Sequence, residues 1–282
     1  MEVEFEQAYI DVCGIRTRYI EAGAGEPLVL LHSGGGYAES YARNLKEHAR
    51  YFHVYVPDLA GYGFTDRPDW EYQMKDMVNF LGDFQSAIGA PRIYLSGLSV
   101  GAWIAALYAG QNPGKVKKLV LNCGVPLRPD EKGIREFKER SKRESTQTAA
   151  NDLRAIAVAQ LTKLFSDPQN ALELGEVSFQ LCWHPSKAAE TRRVIDTQLN
   201  EMISETKTST EDGPNALRNI ACHTLIMWAR ANPGQSLDLA QRALALIPDS
   251  RLHVFEEAGH WPQWEEPEEY DRVQIEFFRS EI

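Results

Sequence analysis

Two short segments of this chain carry residue types whose spacing could do chemistry. The run Leu95-Ser96-Gly97-Leu98-Ser99-Val100-Gly101 joins an apolar stretch directly to an Ala-rich helical pattern, with Ser99 between two glycines. At a strand-to-helix turn that tight, a side chain at either glycine would collide with backbone. The central serine is forced into a strained conformation, its hydroxyl projecting beyond the sheet. The start of a helix also favours the negative charge that develops during nucleophilic attack. Taken alone, Gly-x-Ser-x-Gly also describes a plain turn, and it is the strand–turn–helix context that points to a nucleophile. Upstream, Leu31-His32-Ser33-Gly34-Gly35-Gly36 follows another apolar run, and its glycines let backbone N–H groups approach a ligand oxygen closely. Its spacing fits neither Gly-x-Gly-x-x-Gly nor a phosphate loop with its lysine.

The elements that must position these segments alternate along the first third of the chain. Residues 9–12 and 16–21 flank Cys13-Gly14 and predict a hairpin. Residues 27–32 form a continuous apolar run, as expected of a strand buried on both faces, and Val54 and Val56 lie in a second. Met77, Val78, Leu81, Phe84 and Ile88 share one helical face. A strand over 92–96, a helix over 99–110 and a strand over 116–122 follow, which implies a parallel sheet with right-handed crossovers. From about 125 to 218 there is no strand-like run, only charged and amphipathic helical stretches such as 131–143 and 153–165. The alternation resumes with strands over 223–228 and 251–255 and a final helix over 267–278. No internal repeat or low-complexity segment is apparent. The reading is one α/β core, residues 1–124 and 219–282, interrupted by a helical cap at 125–218.

Beyond the loop and the serine turn, Pro57-Asp58-Leu59-Ala60-Gly61-Tyr62-Gly63 and Ala258-Gly259-His260-Trp261-Pro262-Gln263-Trp264-Glu265 carry a resemblance. With these four segments the chain resembles the α/β-hydrolase superfamily over nearly its full length. The resemblance implies a mostly parallel eight-stranded sheet flanked by helices, with an inserted helical cap. His-Trp followed by Gln-Trp-Glu is similar to the carbon–carbon bond hydrolases that cleave ring-fission (meta-cleavage) products of aromatic degradation, and to related esterases. The resemblance assigns Ser99 as nucleophile and His260 as base, with the N–H groups of Gly34 (or its neighbour Gly35) and Val100 as oxyanion donors. The other six histidines read as surface or structural residues, with His184, beside Trp183, the one to watch. Two positions depart from the carbon–carbon hydrolases: Leu98 stands where they carry Asn, and Ser40 aligns with another Asn. Losing both polar groups points to a different or simpler substrate.

The acid is the difficulty. Where the family pattern is Trp-Gly-Arg-Glu-Asp, this chain reads Trp228-Ala229-Arg230-Ala231-Asn232. Asp238 falls in the first turn of the next helix. The alternative site after the sixth strand, Asn122-Cys123-Gly124, has no carboxylate, and Asp130 belongs to the cap. An amide can orient the imidazole but does not stabilise imidazolium as an anion does. Replacing the acid of a serine-protease triad by Asn costs about four orders of magnitude in turnover. Three explanations stand: an introduced Asp→Asn change, a natural hydrolase using Asn232 or another acid, or a member that no longer hydrolyses.

Composition bounds the partners. The chain has 282 residues, 43% hydrophobic and 25% charged, with a formal net charge of -10, which argues against general nucleic-acid binding. The four cysteines, Cys13, Cys123, Cys182 and Cys222, are scattered and read as reduced, mostly buried thiols. The acidic start, residues 1–6, lacks the features of a signal peptide, and no apolar run approaches the ~20 residues that cross a bilayer. A cytoplasmic protein without membrane or nucleic-acid partners is expected, and a homodimer is the family-level expectation. The expected activity is acyl transfer on a small apolar ester, lactone or ketone C–C bond, a chemistry that requires no metal or cofactor. Trp261, Phe165, Phe179 and Trp183 are the candidate pocket residues. The rival reading is a non-hydrolytic protein: a ligand receptor, or a cofactor-free lyase or oxygenase using His260 as base.

Overall fold

The structure, a computed structural model, describes residues 5–148 and 152–281; Met1 to Glu4 of the acidic start and residues 149–151 of the expected cap lie outside them. The chain begins with a hairpin of β1 (Phe5–Val12) and β2 (Ile15–Ala22), as the turn at Cys13-Gly14 predicts, followed by β3 (Pro27–Leu31). A short α1 (Leu45–His48), β4 (His53–Pro57), α2 (Met74–Ala87), β5 (Ile93–Leu98), α3 (Val100–Gln111) and β6 (Val116–Asn122) come next. Five helices then follow without an intervening strand among the described residues: α4 (Glu131–Thr148), α5 (Leu153–Thr162), α6 (Pro168–Ser178), α7 (Ala188–Ile203) and α8 (Gly213–Asn219). The chain returns to the sheet with β7 (His223–Ala229), α9 (Leu237–Leu246) and β8 (Ser250–Phe255), and ends in α10 (Pro262–Glu265) and α11 (Pro267–Arg279).

The eight strands form one sheet in the order β1-β2-β4-β3-β5-β6-β7-β8, antiparallel from β1 through β2 to β4 and parallel from β4 to β8. Alternation along the central strands feeds two apolar layers. Val29, Leu31, Leu95 and Leu121 face α2, α3 and α9, while Leu28, Leu30, Val54 and Val120 face α11. Because the six strands from β4 to β8 run the same way, the loops after β3, β5, β7 and β8 all emerge at one edge of the sheet. Ligand sites of open α/β sheets form at that carboxyl edge. The helical insertion roofs the same edge with α5 and α7, whereas α8 packs on α3, where a Cβ on Gly110 would strike the Ala216 backbone.

The four cysteines are free, but only Cys123 and Cys182 are buried. Cys13 is exposed because it occupies the hairpin turn, at φ 51°, and Cys222 is half-buried. No helix among the described residues is long and apolar enough to cross a membrane.

One buried carboxyl makes the fold pH-sensitive. On the buried face of α11, Asp271 accepts a hydrogen bond from Asn44 Nδ2 at 2.8 Å, with His48 Nδ1 3.4 Å away. Burial pushes its carboxyl up to about 8; the Asn44 bond opposes the shift, while Glu47 and Glu268 add to it. An unfolded aspartate titrates near 3.9, so across the window from about pH 4 to 8 the folded chain binds more protons than the unfolded one. Stability from this group therefore falls as pH rises through that window. His48, whose pKa burial lowers, works in the opposite sense near pH 6 in any variant that retains it. Urea unfolding of Asp271→Asn should thus lose stability less steeply than wild type between pH 5 and 7.5, by up to about 1.4 kcal/mol per pH unit. Identical slopes would show that Asp271 stays ionised.

Candidate active site

The turn between β5 and α3 places Ser99 at φ 55°, ψ -112°, a region that costs a non-glycine residue on the order of 1–3 kcal/mol. The packing that enforces it leaves no room for side chains. A Cβ on Gly97 would overlap the Gly101 carbonyl. One on Gly101 would lie 2.5 Å from the Leu31 oxygen and 2.6 Å from that of His32. Gly124, after β6, would bring a Cβ 2.7 Å from Ser99 Cα. The Ser99 amide donates to the Asn122 carbonyl at 2.8 Å, tying the turn to β6.

The loop after β3 is a reverse turn closed by Gly36 N–H donating to Ser33 O at 2.9 Å, with Gly35 at φ 71°. His32 anchors it. Its ring is fully buried, accepts from the Leu59 amide at Nε2 (2.9 Å) and donates from Nδ1 to Ser33 O (2.7 Å). Burial lowers its pKa, and the two contacts fit the neutral ring. Asp58, wholly buried, accepts from the Ala38 amide (2.8 Å), the Phe64 amide (2.9 Å) and Arg18 Nη1 (3.1 Å), holding the following segment down. The Gly35 amide faces the Tyr62 hydroxyl. That leaves the Gly34 amide beside Val100, where a Cβ on Gly34 would lie 2.9 Å from Val100 Cγ2. The Val100 amide opens a helix, so no carbonyl of the helix lies behind it to accept.

Asn232 follows β7 and His260 follows β8, and the structure brings them together: His260 Nδ1 lies 2.6 Å from Asn232 Oδ1. An amide oxygen only accepts, so Nδ1 carries the proton and Nε2 keeps its lone pair, the tautomer a general base needs. Asn232 Nδ2 is buried without a hydrogen-bond partner. The alternative acids lie elsewhere: Asp238 is exposed beside Arg242, and Asp130 caps α4 through the Gly133 amide. The histidine loop is held by a group that sequence reasoning missed. Glu265 accepts from the Gly259 amide (2.7 Å) and from the Ser166 amide (2.6 Å), so it joins this loop to the insertion. It sits inside the quoted His-Trp block, but nothing in spacing announces a backbone clamp.

Ser99 and His260 line one cavity of about 90 Å³, with Ser33, Gly34, Val100 and Trp261 on the core side. Trp183 also lines it, at the end of a π-helical turn, Phe179–Trp183. Phe165 and Phe179, expected in the lining, are absent from it. Phe165 packs edge-on behind Trp261, with ring centres 5.4 Å apart, and Phe179, at the outer end of the π turn, lies under Arg154. The wall above the serine comes instead from Ile195, Gln198, Leu199 and Met202, one stripe of α7 whose i, i+3, i+4, i+7 spacing was readable in the sequence. Leu98 is buried in the apolar layer and the Ser40 hydroxyl donates to Tyr37 O, so neither lines the cavity. His184 is exposed, with Nδ1 2.8 Å from the Ser186 hydroxyl. Among the described residues no Lys, Arg, Asp or Glu lines the cavity.

Comparison with known proteins agrees with this fold. A family described as alpha/beta hydrolase fold matches residues 26–267. A 2-hydroxy-6-oxo-2,4-heptadienoate hydrolase of Pseudomonas putida is 27% identical over 277 residues, spanning 95% of this chain and 94% of its own. A 2-hydroxy-6-oxo-6-phenylhexa-2,4-dienoate hydrolase of Comamonas testosteroni is 27% identical over 291 residues, spanning 96% and 93%. Among solved structures, the 2-hydroxy-6-oxo-6-phenylhexa-2,4-dienoate hydrolase from Rhodococcus sp. strain RHA1 superposes with a TM-score of 0.82 at 19% identity, over 99% of this chain and 100% of that one. At that identity the superposition speaks to the fold alone. Hydrolysis is the activity that the sequence relatives support.

The Asn232–His260 contact sets an expectation for the reactivity of Ser99. Asn232→Ala frees the ring and should slow labelling by a fluorophosphonate at least tenfold, measured as a pseudo-first-order rate by mass spectrometry. Asn232→Asp should speed it, by up to the ~10⁴ that a triad acid is worth, because a carboxylate meets the positive charge that the ring acquires. Equal rates in all three proteins would mean the position does not serve the imidazole.

Proposed function

This chain belongs to the alpha/beta hydrolase fold family, and from that premise we propose that it is a serine-dependent hydrolase of a small, uncharged ester, lactone or ketone. The observation that carries the reading is a strained Ser99 sharing one cavity with a His260 whose Nδ1 is fixed by Asn232, so that Nε2 is the basic nitrogen.

Ser99 Oγ attacks the carbonyl carbon while His260 Nε2 takes its proton. The amides of Gly34 and Val100 stabilise the oxyanion. Collapse expels an alkoxide, or the carbanion of a ketone C–C bond, which takes the proton from His260. Water, deprotonated by the same ring, then releases the acid and restores Ser99. The insertion acts as a cap that keeps bulk water from the apolar wall.

The lining argues for a neutral substrate. The relatives' named substrates are dienoates, which carry a carboxylate. Burying an ion without a countercharge costs several kcal/mol even after relaxation, and the described lining offers no cation.

A panel of nitrophenyl esters and lactones tests the reading. Wild type should hydrolyse 4-nitrophenyl butyrate, and Ser99→Ala should lose at least 10³-fold in kcat/KM. 4-Nitrophenyl hemisuccinate, with a carboxylate on the acyl chain, should be turned over at least tenfold less well than the butyrate. Retention of wild-type turnover in Ser99→Ala, or no labelling of wild type by a fluorophosphonate, sinks the proposal in favour of a non-hydrolytic role.

A further inference from the structure

The α7 stripe over Ser99 is apolar except for one residue. Gln198 sits between Ile195 and Met202, is 1% exposed and faces the cavity. Its amide is not free to turn: Oε1 accepts from the Tyr62 hydroxyl at 2.7 Å. Tyr62 is itself fully buried, and burial raises its pKa, so it remains a donor. With the oxygen so held, the two hydrogens of Nε2 are left without a partner, although the atom is buried. The end of the side chain lies close to the oxyanion loop, since a Cβ on Gly34 would be 3.6 Å from Oε1. Trp261 Nε1 and Gln160 Nε2, on other walls of the same cavity, are also buried donors without partners.

Buried donors that no protein group satisfies destabilise a fold, and Leu or Met at this position would complete an apolar wall. A ligand acceptor removes the cost. We propose that Gln198, oriented by Tyr62, is a specificity-determining residue that donates to a second, uncharged acceptor oxygen of the substrate. The ligand class is a neutral acyl compound with an ether, keto or ring oxygen a few bonds from the reacting carbonyl. A carboxylate is disfavoured because three neutral donors bring no positive charge to an uncharged lining. The inference rests on the hydrolase reading only in placing the reacting carbonyl at Ser99.

The test reads binding first, so that it survives failure of the chemistry. In Ser99→Ala protein, methyl methoxyacetate and methyl butyrate differ by one oxygen for one methylene. Their affinities are measured by quenching of tryptophan fluorescence, since Trp183 and Trp261 line the cavity. The ether ester should bind about tenfold tighter, the worth of one hydrogen bond of ~1.4 kcal/mol. Adding Gln198→Met should bring the two within twofold while leaving the unfolding midpoint unchanged or higher. Tyr62→Phe, which frees the amide, should lose part of the preference. In active protein, kcat/KM for 4-nitrophenyl methoxyacetate should fall about tenfold relative to the butyrate on Gln198→Met. Equal affinities in the Gln198 protein, a preference that survives Gln198→Met, or equal losses for both esters with a lowered midpoint would overturn the proposal. So would butyrate anion binding tighter than its methyl ester. The expected binding pattern in a protein that neither turns over esters nor labels would sink the hydrolase reading and leave this one standing.

Discussion

The site depends on a backbone crossing in which three chain segments come closer than side chains allow. The serine turn, the β3 carbonyls and the Cys123-Gly124 segment meet where Gly97, Gly101 and Gly124 have no Cβ. The strain at Ser99 is the consequence: with β5 ending at Leu98 and α3 beginning at Val100, one residue must reverse direction, and its left-handed φ aims the side chain outward. Strain of this kind persists only where surrounding packing over-determines it. Here the sheet register, with Leu31 paired to Gly97 and Leu98 to Asn122, and the amide bond of Ser99 to Asn122 supply that determination. A hydroxyl held this way is oriented before any ligand arrives.

His260 is held by a glycine crossing of its own and by hydrogen bonds. A Cβ on Gly259 would lie 2.5 Å from Leu164 O, the His260 amide donates to that same oxygen at 2.6 Å, and the Gly259 amide donates to Glu265. Asn232 then decides which nitrogen carries the proton. A carboxylate accepts from Nδ1 with either oxygen, whereas an amide does so only while its oxygen faces the ring. The two differ again once the ring is protonated, when only the carboxylate answers a full positive charge. Asn232 therefore orients the ring without supplying an anion to it.

What could be read in the sequence follows from how local each constraint is. Buried parallel strands are short apolar runs bounded by turns, so residues 27–32 and 116–122 announced themselves, and Gly-x-Ser-x-Gly encodes its geometry in adjacent residues. The cavity wall was not local. Phe165 and Phe179 were expected in it on residue type, yet along a π-helical turn of five residues Phe179 is buried within the insertion under Arg154 and Trp183 lines the cavity. Gln198 reads as a polar residue on an amphipathic helix, and only its neighbours Tyr62 and Gly34, from loops more than a hundred residues earlier, give it a role. The Asp271 carboxyl and the Glu265 clamp were silent for the same reason: their partners are backbone or buried polar groups far away in sequence.

The insertion and the core are joined at the points that matter for selection. Cys182 Sγ reaches the Gly35 carbonyl at 3.4 Å, and burial pushes its thiol up to about 12, so it stays a protonated donor. Lys187 Nζ donates to Gly63 O at 3.1 Å, and Glu265 joins Ser166 to Gly259. These ties register α7 against the Gly34–Gly36 loop and the α5 end against the His260 loop, so the cavity wall is fixed relative to Ser99 and His260. Selection is then a matter of local desolvation. The net charge of -10 acts through solvent that screens it within about 8 Å at physiological salt, whereas the described cavity lining joins aliphatic and aromatic surface to the neutral polar groups of Ser33, Ser99, Ser178, Gln160 and Gln198 and to His260. In such surroundings an uncharged ligand that satisfies the buried donors loses less on entry than an ion does.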